Sequence, residues 1–268
     1  MTQAILIAPI TADDVEFHPP SITEFFPPAI LFEGTPFEFT RINLAQVIAT
    51  VVLVIILLVG TRNLRVVPGR FQSVVEFGFG FVREQIAYQV LGKKDGQRFL
   101  PILTTLFLGI LFMNITGIVP GINIAGTSVI GVPLLLALTA YVLFIYAGIK
   151  KHGFGGFMKS SLVPSGVPVY LVPLMAIIEF LSTFIFRPIS LTLRLLMNMM
   201  VGHLMLVLFF AATHFFLLSF NWLTPLAVGS LALGFAFTLF EAFVAFLQAY
   251  VFTILTAVYI QLAVADEH

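Results

Sequence analysis

Residues 169–213 read VYLVPLMAIIEFLSTFIFRPISLTLRLLMNMMVGHLMLVLFFAAT, forty-five positions with three charged side chains, Glu179, Arg187 and Arg194. As one helix this run is about 68 Å long, twice a hydrocarbon core of about 30 Å. Residues 225–264 form a second run with a single charge, Glu241, and about 60 Å of helix. The turn between them, His214–Thr224, carries no charge. Helices of this length fit a bilayer only when steeply tilted, and a helix lying nearly flat in lipid needs a protein partner along its length. The two runs set the fold class: an all-α, polytopic membrane protein ending in a long tilted hairpin over about 169–264.

The remainder of the chain agrees. Of 268 residues, 59% are hydrophobic and 10% charged, with a mean hydropathy of +1.07. A soluble domain averages about 25% charged residues, so this chain cannot cover an ordinary water-facing surface. Thirteen bases cancel thirteen acids, which argues against a nucleic-acid partner. The absence of cysteine removes disulfides, thiolate nucleophiles and Cys-ligated metals.

Three more spans are predicted at Ile42–Gly60, Phe99–Val119 and Val132–Gly148, about five in all. Between the first two, Phe71–Leu91 is amphipathic and suits a helix on the membrane surface. Ten of the thirteen bases fall in 62–98 and 150–159, which the positive-inside rule places in the cytoplasm. The N-terminus is then outside and the C-terminus inside. Residues 1–40 hold Asp13, Asp14, Glu16, Glu24, Glu33 and Glu38 with no base, and read as an acidic extracytoplasmic tail with a short interfacial turn around Phe25–Phe32. The apolar stretch Ala4–Ile10 has no basic flank and does not read as a signal peptide. Residues 41–268 read as one helical membrane domain.

The two long runs contain polar side chains that hydrocarbon disfavours: Glu179, Arg187, Arg194, Asn198, His203, Glu241 and Gln248. A charge at mid-depth costs at least about 2.5–3.5 kcal/mol on insertion scales. Some have plain readings. Arg187 can anchor at an interface, Glu179 can lie near the headgroups, and Asn198 and Gln248 can be interhelical hydrogen-bond glue. Arg194 is far from either predicted end. In an antiparallel hairpin, facing residues share an index sum; Arg194 with Gln248 gives 442 and His203 with Glu241 gives 444. An imidazole and a carboxylate at one depth make a proton-accepting station, because histidine titrates near neutrality. Arginine stays protonated and acts as a fixed charge. His203, nine residues beyond Arg194, is rotated from it by about 180° on an ideal helix.

The segment Pro188-Ile-Ser-Leu-Thr-Leu-Arg194-Leu-Leu-Met-Asn198-Met-Met-Val-Gly202-His203 resembles the signature of subunit a of the F-type ATP synthase membrane sector. Gln248–Tyr259 is similar to that family's final helix, and Met113-Asn114 followed by Pro120 to its second-span ending. The resemblance implies a stator beside a rotating ring of c subunits, with b-type peripheral stalk subunits, in the plasma membrane of a bacterium or the mitochondrial inner membrane. It implies two offset half-channels that pass protons to and from a ring carboxylate. Arg194 maps onto the invariant arginine that prevents a short circuit, and Asn198, His203, Glu241 and Gln248 onto channel-lining positions. Glu179 falls near an acidic position of the cytoplasmic half-channel, one residue off in its spacing to Pro188. His203 and Glu241 occur in the reverse of the order common in the family. Met197 stands where glycine is common. The resemblance implies no cofactor, no metal and no catalysis by the chain alone. Two other classes of protein carry intramembrane charges. A secondary transporter could use Arg194 to bind an anionic substrate, but no internal repeat supports it. An intramembrane hydrolase lacks HExxH, GxSxG and cysteine.

Overall fold

The computed structural model describes residues 19–32, 34, 38–62, 65–162, 168–218, 222 and 224–265. The acidic residues before Pro19, the Ala4–Ile10 stretch and the end Asp266–His268 lie outside the described residues. Five helical runs are long and apolar enough to cross a membrane: Arg41–Arg62, Arg70–Ile115, Gly131–Leu162, Val172–Leu218 and Leu226–Val264. In lipid the backbone must satisfy its own hydrogen bonds, and helices do so within each segment.

Seven helices make up these runs. They are α1 (Arg41–Arg62), α2 (Arg70–Phe81), α3 (Gln89–Ile115), α4 (Gly131–Leu162), α5 (Val172–Phe180), α6 (Arg187–Leu218) and α7 (Leu226–Val264). A π-turn, Val82–Tyr88, joins α2 to α3, and another, Leu181–Phe186, joins α5 to α6. The second lies just before Pro188. Proline lacks an N–H and crowds the carbonyl four residues earlier. The wider π-turn absorbs that mismatch, so α5 and α6 continue as one element of 47 residues, about 70 Å long.

The expected surface helix is present, and it turns differently from its polar pattern. Gln72 is buried, donating from Nε2 to the Arg65 carbonyl at 3.1 Å and to Glu76 Oε1 at 2.6 Å, while Val74 and Phe77 face outward. The polar face ties down the chain after α1 and is not fully given to water. At Gly92 the backbone adopts φ +72°, a conformation that favours glycine, and the chain leaves the surface segment for the second span. A similar break occurs at Gly153, within the basic stretch 150–159. The helix folds back there, and Phe157 is buried against Gly148, Phe144 and Ala263.

The core lies where α3, α4, α6 and α7 meet. Leu103, Phe107 and Ile110 pack with Ala137 and Ala140, Leu191 and Leu195, and Phe252, Ala257 and Ile260. Alanines let helix backbones approach closely, as membrane interiors favour. At the N-terminal side, a 3-10 turn (Ile22–Phe25) precedes β1 (Ala29–Leu31), which pairs antiparallel with β2 (Phe39–Thr40). Phe25 is buried, so this part of the acidic segment docks on the bundle. Arg41 donates to the carbonyls of Gly121 and Ile122 at 3.0 and 2.8 Å, and Gln46 to Gly126 at 2.8 Å, which ties the loop after α3 to α1.

Candidate functional site: a polar level within the long hairpin

Helices α6 and α7 run antiparallel and are stitched along their length. Ser230 Oγ donates to the Phe209 carbonyl at 2.8 Å, and Phe209 meets Phe237 with ring centroids 5.7 Å apart. Further along, Asn198 Nδ2 donates to Gln248 Oε1 at 2.8 Å. That pair has an index sum of 446, one helical turn from the 442 expected for Arg194 with Gln248. Gln248 is therefore joined to Asn198, and Arg194 lies one turn further along α6.

Arg194 occupies a face of α6 that no other described part of the chain covers. Its neighbours there are Leu193, Met197 and Val201, all exposed, and the adjoining part of α7 exposes Leu239, Phe243 and Leu247. Among the described residues Arg194 has no hydrogen-bond or ion-pair partner. Gln248 is 2% exposed, and its Nε2 has no hydrogen-bond partner among the described residues.

The imidazole and the carboxylate lie on the other side. His203 is 5% exposed and Glu241 6%. The Glu241 carboxylate lies directly against Gly202; a Cβ at that position would collide with both carboxylate oxygens. Glu241 is thus level with the residue preceding His203. The His203 ring meets Phe25 edge-on, with centroids 5.2 Å apart. It also lines a cavity of about 580 Å³ with Thr23, Pro27, Arg41, Asn123 and Val207. This cavity sits where the N-terminal turn, the start of α1 and the loop after α3 converge.

Glu179 is half-buried on α5, two turns before Arg187. Arg187 is not free at an interface. Its guanidinium lies over Tyr259 at 5.1 Å and Phe144 at 5.9 Å, a cation–π clamp between α4 and α7. Sequence reading did not give a role to Gly202, Phe25, Arg41 or Tyr259. Gly202 stood inside the quoted motif, and its distance of one from His203 was the available signal. Phe25 carried none. Among the described residues no cluster of His, Asp and Glu could hold a metal ion.

Fold and site together define a multi-pass helical membrane protein with polar side chains set within its long spanning helices. A family model described as the ATP synthase A chain matches residues 44–261. The chain is 46% identical over 268 residues to ATP synthase subunit a of Rhodococcus erythropolis, covering 99% of this chain and 97% of the relative. It is 37% identical to ATP synthase subunit a of Pseudarthrobacter chlorophenolicus, over 98% and 100% of the two chains. Against ATP synthase subunit a of Streptomyces lividans it is 36% identical, over 86% and 81%. The chain belongs to the ATP synthase A chain family, in the membrane sector that serves proton transport and ATP synthesis.

Proposed function

We propose that the chain is the proton-conducting stator of a rotary ATP synthase in a bacterial plasma membrane, without catalysis of its own. The observation that carries this reading is Arg194, an exposed and unpaired cation deep in an apolar helix. Left against lipid it would cost at least about 2.5–3.5 kcal/mol. A carboxylate-bearing partner on that face removes the cost. The partner proposed is the c-subunit ring, whose carboxylates pass along the uncovered α6–α7 face, while b-type stalk subunits hold the chain in place.

The chemistry follows from what each group can do with a proton. The cavity outside His203 admits water, and His203 and Glu241 relay protons from it towards the ring. Asn198 and Gln248 offer amides beside the point of exchange. Arg194 cannot give up its proton. It holds each passing ring carboxylate in the ionised form and separates the outer path from an inner one, for which Glu179 is the marker. The N-terminus is outside and the C-terminus cytoplasmic on this reading.

Because the chain has no cysteine, a single introduced thiol reports without background. Met197→Cys and Phe243→Cys, each paired with a cysteine placed beside the ring carboxylate, are expected to cross-link on oxidation in whole membranes. Leu138→Cys, exposed on α4, is the control and should not. Equal cross-linking at all three positions, or none at the first two, contradicts the reading.

A further inference from the structure

On α4, Ala137, Ala140 and Ala147 enter the core while Leu135, Leu138, Val142 and Tyr146 remain exposed. At one end of this outward stripe two bases converge. Arg98 Nη2 donates to the Tyr146 hydroxyl at 3.3 Å, and Lys150 Nζ donates to the same oxygen at 3.2 Å. The two nitrogens are therefore within about 6.5 Å of each other. Both cations also lie over the Tyr146 ring, at 5.6 and 5.5 Å from its centroid. Neither makes an ion pair among the described residues. Like charges so close repel, and an anion placed between them relieves the repulsion.

An apolar groove continues from this pair. It has a volume of about 580 Å³ and is lined by Ile102 of α3 and by Leu134, Leu135, Leu138, Val142 and Leu143 of α4. Ile102 is one turn from Arg98, and Val142 one turn from Tyr146. Thr139 in the groove donates its hydroxyl to the Leu135 carbonyl at 2.8 Å, so the wall stays dry. From Tyr146 to Leu134 is about 18 Å of helix, close to the depth of one leaflet of a core about 30 Å thick.

We infer that this groove binds an anionic diacyl phospholipid, its phosphate held by Arg98 and Lys150 and one acyl chain lying along α4 towards Leu134. The guanidinium supplies paired donors that match phosphate oxygens, and the ammonium adds a point charge. Tyr146 holds the two bases together in advance. A free phosphate would engage only the cationic end, whereas the groove below it is one acyl chain deep. The bases fall within the two basic stretches, and the cytoplasmic leaflet that such stretches face is the anionic one.

The test uses the full chain in phosphatidylcholine nanodiscs doped with spin-labelled phosphatidylglycerol or spin-labelled phosphatidylcholine. The immobilised fraction of each label gives a preference ratio. The wild-type chain is expected to prefer the anionic lipid by about thirtyfold, the ratio that about 1 kcal/mol from each of two surface bases gives. Arg98→Gln with Lys150→Gln brings the ratio close to one, and Leu138→Trp, which fills the groove, lowers it with both bases intact. Arg70→Gln, a base on α2, leaves the ratio unchanged. Excess inorganic phosphate does not displace the label. Three results overturn the inference: an unchanged ratio in the double variant, an equal fall in Arg70→Gln, or full displacement by phosphate. Helicity measured on each variant separates lost binding from lost fold, and Tyr146→Phe, which keeps both charges, should lower the ratio if the double variant does not fold.

Discussion

Asn198 and Gln248 meet at the edge of the seam between α6 and α7: Gln248 is buried in it, and Asn198 is exposed on the same side of α6 as Arg194, one turn away. An antiparallel hairpin fixes an index sum, so the level of facing residues was legible in the sequence to about one turn. The pair expected at 442, Arg194 with Gln248, is replaced by Asn198 with Gln248. Which polar residue turns into the seam was not legible, because the helix rotation is set by packing against α3 and α4. Gly202 shows the same limit. Its lack of a side chain makes room for the Glu241 carboxylate, a fact of the partner helix that no local pattern carries. Gly202→Ala is expected to displace that carboxylate, costing about 1–3 kcal/mol of stability as overpacking does and lowering proton flux. Shortening the acid with Glu241→Asp in the same chain should recover part of the flux, measured as ATP-driven acidification of inverted vesicles. Full flux in Gly202→Ala alone would mean that the carboxylate position is unimportant. The pair His203 and Glu241 supports a second expectation. Glu241→Gln removes a proton acceptor, and His203→Glu sets two carboxylates at one level, where like charges oppose ionisation. The exchange His203→Glu with Glu241→His restores one imidazole and one carboxylate. It should pump better than His203→Glu or Glu241→Gln alone; a double variant no better than the poorer of these argues against a shared relay.

At the scale of elements, length and composition set out the five spans, and boundaries were lost where glycine and proline act through tertiary contacts. Pro188 could have ended a helix, and a π-turn lets it continue. The segment 150–159 reads as a loop because it is rich in glycine and lysine. It is helical because Phe157 docks against Gly148 once Gly153 has turned the chain at φ +72°. A side chain in that region, φ +72° with ψ 168°, costs about 1–3 kcal/mol. Gly153→Ala should therefore loosen the returning helix with little effect on the five spans. Limited trypsin digestion of membranes is the measurement, with faster cleavage after Lys159 the expected result and wild-type kinetics the contrary one.

The molecule as a whole has two unlike sides. One is a core in which α3 and α4 brace the long hairpin, with His203 and Glu241 buried and His203 lining the cavity beside the N-terminal turn. The other is the uncovered α6–α7 face with Arg194 set among leucine, methionine and phenylalanine. Sequence alone indicated that the long helices need a partner. It did not indicate that Thr23, Phe26, Pro27, Pro28 and Arg41 wall the cavity, because Phe25 and the prolines beside it have no periodic signal. On the proposed reading, Arg194 is the fixed charge through which proton movement is coupled to rotation. Its direct test is ATP-driven acidification of inverted vesicles carrying the assembled complex with Arg194→Ala, at subunit levels matched to wild type. Arg194→Lys is the companion variant, since an ammonium does not reproduce the planar fork. Acidification is expected to be abolished in the alanine variant and strongly reduced in the lysine variant, with assembly intact in both. Wild-type acidification in the alanine variant would contradict that reading.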